Sequence, residues 1–136
     1  MKTAKEIEIV IAEIDFNIIE KIREIRLKRE PIISQMALSQ MLGLADGFVG
    51  KVENIKESSK YNMWHLNKII KVLNLKFTDV LPSGSYNFDI VKIHIKLKET
   101  RNKNEKSYEV LSMKPLTEKE MQLFKQNKIP YLRIIK

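Results

Sequence analysis

The sequence predicts a mainly α protein: a five-helix domain built around a helix-turn-helix, followed by a small α+β unit of ββαβ-like order. Three observations predict it. Leu38 and Leu42 repeat at i,i+4 and Val49 and Val52 at i,i+3 on either side of Gly43, the spacing of two short packed helices joined by a tight turn. Helical apolar stripes flank that pair, at Ile18, Ile22 and Ile25 before it and at Leu66, Ile69, Ile70 and Leu73 after it. Beyond Pro82-Ser83-Gly84-Ser85 the period changes to two, with Val91, Ile93, Ile95 and Leu97 alternating with Lys92, His94, Lys96 and Lys98.

Taken in order, residues 1–15 form an N-terminal extension. Residues 3–16 fit two patterns, since Ile7, Ile9 and Ile11 alternate like a strand while Ile7, Ile11, Ile14, Ile18, Ile22 and Ile25 recur at helical spacing. The interruption at Asp15-Phe16-Asn17 favours a separate short strand, and Asn17 with Glu20 reads as a capping box that opens the first helix, about Ile18 to Arg29. Pro31 forces the residue before it out of helical geometry. The second helix covers Gln35 to Met41 and the third about Ala45 to Asn54. Gly43 between them accepts the positive φ of a tight turn, Ser39 is small where the helices cross, and Ser34 is a cap candidate. A polar loop, Ile55 to Asn62, leads to a fourth helix from Met63 to Leu73, with Trp64 expected in the core. A short fifth helix ends at Pro82, closing a domain over 16–82.

The second unit spans 86–136. After the alternating strand, Arg101 to Lys106 is polar turn material and Tyr108 to Met113 the returning strand. Thr117 and Glu120 form a capping box, with Leu116 and Met121 at staple spacing, so a helix runs to about Asn127. Ile129-Pro130-Tyr131-Leu132-Arg133-Ile134-Ile135 is an edge strand or docking tail. A unit this small builds little core alone. It is expected to pack on the first domain, on the N-terminal strand or on a second subunit, and an exposed apolar sheet face favours the last, as a homodimer.

Composition bounds the class. Length suits one domain or a domain with an appendage, and no apolar run approaches the ~18 residues of a membrane span. Without cysteine there is no disulfide or thiolate chemistry, and Met1 to Lys5 leads into a charged segment instead of a signal peptide, so a cytoplasmic setting is expected. The net charge of +8 suggests a polyanionic partner, but its distribution is uneven. Residues 1–82 hold 13 Lys/Arg against 11 Asp/Glu and residues 83–136 hold 12 against 6, so the excess lies in the tail. His65 and His94 are isolated, and no metal-ligand spacing, Walker loop, dinucleotide fingerprint or nucleophile elbow occurs. The chain is not expected to be an enzyme or to hold a metal or cofactor.

Ile22-Arg23-Glu24-Ile25-Arg26, Gln35, Leu38-Ser39, Leu42-Gly43-Leu44, Val49, Val52-Glu53, Lys60-Tyr61-Asn62, Trp64-His65-Leu66 and Asp79-Val80-Leu81-Pro82 carry a resemblance. Over about residues 16–82 the chain resembles the Cro/lambda-repressor (XRE-like) helix-turn-helix family of DNA-binding proteins. It departs from the family in a longer segment from Arg26 to Gln35 and in Ile55, where a glycine often stands. The resemblance implies an ion pair between Arg26 and Glu53, and base-reading positions at Asp46, Gly47 and Lys51.

The residues themselves agree on where a DNA face would lie. With Val49 and Val52 inward, Asp46, Gly47, Gly50 and Lys51 project outward, with Phe48 beside them. Lys51 suits guanine N7 and O6, Asp46 cytosine N4, and Phe48 a thymine methyl group. Gly47 and Gly50 permit close approach of the helix backbone, or Asp46-Gly47 caps the helix. Gln35, Asn54, Lys56, Lys60, Tyr61 and Asn62 are the phosphate-contact candidates. The basic strand face of Lys92, His94, Lys96 and Lys98 is either the solvated side of a half-buried strand or an accessory electrostatic surface. The expected function is that of a sequence-specific DNA-binding transcriptional regulator, a dimeric repressor inserting its third helix (about 45–54) into the major groove of double-stranded DNA. The alternative is an antitoxin-like or adaptor module whose C-terminal unit binds a protein partner.

Overall fold

The computed structural model describes residues 5–99 and 106–136. The chain forms two compact units, one from Ile14–Tyr86 and one from its two ends, up to Glu13 and from Asn87 to Lys136. In order the elements are β1 (Glu6–Ala12), α1 (Glu13–Lys28), α2 (Gln35–Met41), α3 (Phe48–Glu53), α4 (Met63–Val72), α5 (Phe77–Val80), β2 (Ile90–Leu97), β3 (Tyr108–Pro115), α6 (Glu118–Lys125) and β4 (Leu132–Ile134).

The fold class is therefore mixed α+β, with six helices and a four-stranded antiparallel sheet among the described residues. The mainly α, five-helix class expected from the sequence is wrong. The sheet is larger than the alternating segment after Pro82 suggests, because the chain start supplies one of its two inner strands. That pairing joins residues far apart in sequence, such as Glu6 and Lys96, and local periodicity does not report it.

In the helical unit, α1 starts at Glu13 instead of near Ile18. The Asn17/Glu20 pair does not open it, because Glu13 and Asp15 already place negative charge at the positive end of the helix and Phe16 is buried within its first turns. Ile18, Ile22 and Arg26 follow at i+4 spacing and are buried with it. The core gathers Ile18 and Ile22 with Leu38, Leu42, Val49, Val52, Tyr61, Leu66, Ile69, Ile70, Leu73 and Val80. Trp64 is not part of it. Its side chain is 56% exposed because it lies two positions before Leu66, roughly 200° around the helix from the buried stripe. The Lys68 ammonium sits 5.7 Å from its ring centroid.

The helix ends of this unit are closed by side chains. Ser34 accepts from the Ala37 N–H at 3.0 Å and caps α2. Asn62 accepts from the His65 N–H at 2.8 Å while His65 Nδ1 accepts from the Asn62 N–H at 3.0 Å, a reciprocal box at the start of α4. The Arg29 guanidinium donates to the Leu73 carbonyl at 2.7 Å at the far end of that helix. Burial holds the His65 imidazole below its ordinary pKa of 6.5, and its accepting Nδ1 also requires the neutral ring. A folded pKa below the unfolded one means that stability from this group is whole above about pH 6.5 and is lost as pH falls through 6.5 towards the folded value. Thermal melts at pH 7.5 and 5.5 should therefore differ more for the wild type than for His65→Gln, which keeps an acceptor at the same helix position. An identical pH response in both proteins would contradict this.

In the sheet unit the strand order is β3-β2-β1-β4. Ile7 opposes Ile95, Ile9 opposes Ile93, and Ile11 opposes Val91, so the isoleucine alternation of β1 meets that of β2 on one face. Ile7, Ile9, Val91, Ile93 and Ile95 are at most 1% exposed. The exposed apolar sheet face invoked above for dimerisation is thus absent at its centre. Exposed apolar side chains remain at the outer strands, at Val110, Leu111 and Ile134. The ladder shifts between His94 and Ile95, which oppose Ser112 and Val110 and leave Leu111 between them as a bulge. Thr117 and Glu120 cap α6 reciprocally, and β4 pairs with β1 at the sheet edge. The polar turn read at Arg101 to Lys106 lies, except for Lys106, outside the described residues, as do residues 1–4.

The basic strand face is matched by acids. His94 Nε2 lies 2.7 Å from Glu6, Lys92 pairs with Glu120 at 2.6 Å, and Lys98 is 3.9 Å from Glu109. Glu6 and Glu8 also meet Lys136 and Arg133, both at 3.3 Å. Its charge is largely compensated within the unit, which favours the solvated-face reading over an accessory surface for DNA.

Candidate nucleic-acid interface

α2 and α3 are joined through Gly43, whose φ of 71° is the left-handed conformation that glycine adopts without steric cost. The Gly43 N–H donates to Gln40 O and the Leu44 N–H to Ser39 O, both at 3.0 Å, which closes the C-terminal end of α2. α3 begins at Phe48, three residues later than the sequence suggests. Its N-cap residue, Gly47, has no side chain to offer, and the N–H of Val49 is met from the other helix by the Ser39 hydroxyl at 3.0 Å. That hydroxyl in turn donates to Gln35 O at 2.9 Å. Ser39 is fully buried, so this one side chain sets the distance between the helices and supplies the missing cap.

The outer end of α3 is fixed by Glu53. Arg26 Nε and Nη2 donate to its two carboxylate oxygens at 3.1 and 2.7 Å, a bidentate pair in which both side chains are at most 2% exposed. Arg26 Nη1 donates to the Ile33 carbonyl at 2.8 Å, Gln35 Nε2 donates to Glu53 Oε1 at 3.0 Å, and Arg23 Nε approaches the same oxygen at 3.8 Å. The ion pair thus ties α1 to α3, and Gln35 adds α2.

Of the base-contact candidates, Asp46, Gly47 and Lys51 are exposed. Asp46 Oδ1 accepts from Gln40 Nε2 at 3.2 Å, Gly47 has open space where a Cβ would be, and Lys51 makes no ion pair or hydrogen bond through its ammonium among the described residues. Phe48 does not face outward for a thymine methyl. It is half-buried, with its ring 4.7 Å from that of His65 and 6.0 Å from that of Tyr61. Gly50 faces α2, where a Cβ would lie 3.1 Å from Gln35 Oε1, so the close approach that this glycine permits is to Gln35.

The phosphate candidates are mostly engaged elsewhere. Gln35 is held by Glu53, the Asn54 side chain accepts from the Lys56 N–H at 3.1 Å, Asn62 caps α4, and Lys60 pairs with Asp15 at 3.1 Å. Tyr61 is 6% exposed and cannot reach a phosphate. Burial, reinforced by the charge of Glu53, pushes its hydroxyl well above the ordinary tyrosine pKa, and that hydroxyl has no hydrogen-bond partner among the described residues. Lys56 remains exposed with its ammonium unpaired among the described residues. The candidates left exposed and unengaged are therefore Gly47, Lys51 and Lys56, together with Asp46, which is bonded to the exposed Gln40. Sequence reasoning missed Gln40 and the capping role of Ser39. The signal for Ser39 was a hydroxyl at a buried small-residue position beside a helix with no capping side chain of its own.

Compared with protein-family models, with curated proteins and with solved structures, the chain matches none. No helix among the described residues is long and apolar enough to cross a membrane, and no group of three or more His, Cys, Asp or Glu among them is placed to hold a metal ion.

Proposed function

We propose that the chain is a sequence-specific DNA-binding transcriptional regulator related to the Cro/lambda-repressor type, with the outer side of α2–α3 laid against the major groove. The observation that carries this reading is the clamped crossing of α2 and α3, held by Ser39 on one side and by Arg26, Gln35 and Glu53 on the other, with Lys51 left exposed and unpaired on the outer side. A pair of helices held this rigidly can present one face to a groove without loss of orientation. The readers are few, so one unit supplies little specificity, and a second copy bound one helical turn away, about 34 Å, supplies the rest.

Selection from random duplexes at two salt concentrations tests this. A base-specific site should be enriched and should survive the higher salt better than non-specific binding does. Light scattering of the selected complex should show two protein copies per duplex. The surviving lysines divide the work: Lys51→Ala should relax preference at one position, Lys56→Ala should weaken all duplexes alike and flatten the salt slope by about one unit, and Lys60→Ala should do neither because Asp15 already holds it. Equal losses from all three would contradict the assignment. If no sequence is enriched and the protein retains a co-purifying protein, the interaction-module reading replaces this one. The exposed Val110, Leu111 and Ile134 side chains on the outer strands of the C-terminal unit, at 36%, 45% and 65%, are the observation that favours that second reading.

A further inference from the structure

We infer that Asp46 selects a cytosine through a free carboxylate oxygen and that Gln40, on α2, is the positioning residue that aims it. The inference rests on the DNA-binding reading above and adds the base that is read and the residue that sets the reader.

An acidic side chain just before a helix is ordinarily a cap. Asp46 is not one. The N-cap position of α3 belongs to Gly47, no side chain of its own segment caps that helix, and the Val49 N–H is satisfied by Ser39. The Asp46 carboxylate has turned to the other helix, where Gln40 Nε2 donates to Oδ1 at 3.2 Å, and both residues are exposed. Oδ2 has no partner among the described residues, and Asp46 forms no ion pair there. The second oxygen is thus presented to solvent from a side chain whose torsions are already restrained. The adjoining Gly47 adds no side chain there, and nothing lies within 4 Å of where its Cβ would stand.

A fixed carboxylate costs affinity for a polyanion wherever it serves no purpose, since it repels phosphate. It recovers that cost only by accepting from an amino group. Two bases offer one in the major groove. Adenine presents its N6 amino group beside the N7 acceptor, which repels a carboxylate, whereas cytosine presents N4 alone on its own base edge. The geometry therefore favours cytosine. Gln40 contributes by holding one oxygen, which leaves the other free to accept from a base.

The test is the same random-duplex selection run with the full chain and with Asp46→Asn, Asp46→Ala and Gln40→Ala, each checked for an unchanged circular dichroism spectrum. The wild type should enrich a site with cytosine at one position of each half, preferred about tenfold over other bases. Asp46→Asn should move that position towards adenine, because an amide supplies one donor and one acceptor to N7 and N6. Asp46→Ala should erase the preference there and raise affinity for unselected duplex. Gln40→Ala should weaken the cytosine preference while leaving the other positions as they were. An enriched site that none of the Asp46 variants alters at any position would overturn the inference and leave the DNA-binding reading standing. A change in melting temperature without a change in base preference would overturn the role of Gln40. No enrichment by the wild type would remove both readings together.

Discussion

Replacing Glu53 with alanine should lower the stability of the helical unit by about 3–5 kcal/mol, because it strands a buried guanidinium. Arg26 is 1% exposed and directs two of its nitrogens at Glu53, with the Ile33 carbonyl as its only other acceptor among the described residues. Gln35 loses its acceptor at the same time. At about 4–8 °C per kcal/mol for a unit of this size, the helical melting transition should fall by more than about 10 °C. The pair need not be worth that much in itself, since two charges had to be dehydrated to form it. A combined Arg26→Met, Glu53→Leu protein should therefore recover part of the loss, as apolar replacements of whole buried pairs often do. A melting temperature for Glu53→Ala within error of the wild type would show that the cluster is solvated and mobile.

The second large effect is expected at Ser39. Valine there removes the hydroxyl that satisfies the Val49 N–H and adds a methyl group to a fully buried crossing. An unsatisfied buried donor costs about 1–3 kcal/mol and overpacking a further ~1–3 kcal/mol. Ser39→Val should thus lose about 2–6 kcal/mol, and Ser39→Ala only the first part. Denaturant titration followed by circular dichroism separates them. Equal effects for the two substitutions would mean that the crossing has room to spare and that only the hydrogen bond matters.

How much of this was legible in the sequence follows from the range of each interaction. Leu38, Leu42, Gly43, Val49 and Val52 lie within one short stretch, and their spacing alone marks two helices and a turn. The alternation over Val91–Leu97 and the Thr117/Glu120 box are equally local and coincide with β2 and the start of α6. The isoleucines from Ile7 to Ile25 satisfy both periods, and the choice between them was made by pairing with β2 some ninety residues away, as in Glu6 with Lys96. The strand favoured there matches β1, and the fold class failed instead at the pairing that puts β1 inside the sheet of the C-terminal unit. The interface was legible in outline only. Phe48, Tyr61 and Lys60 read as free to meet DNA because the groups they contact, His65 for both rings and Asp15 for the lysine, come from other elements, and sequence spacing carries no information about such contacts. Asp46 is a candidate reader from its position alone, but the Gln40 amide that bonds it comes from the opposite helix and could be found only in three dimensions.

The central claim is that the outer side of α2–α3 is the surface that meets DNA, and its most direct test is an amide chemical-shift titration of the full protein with a duplex drawn from the selection. The perturbed amides should concentrate between residues 40 and 56, including Gln40, Asp46, Gly47, Lys51 and Lys56, while the strand amides of Lys92, His94 and Lys96 stay in place. Perturbations confined to the sheet, or to the exposed Met63 and Trp64 with none along α3, would contradict it.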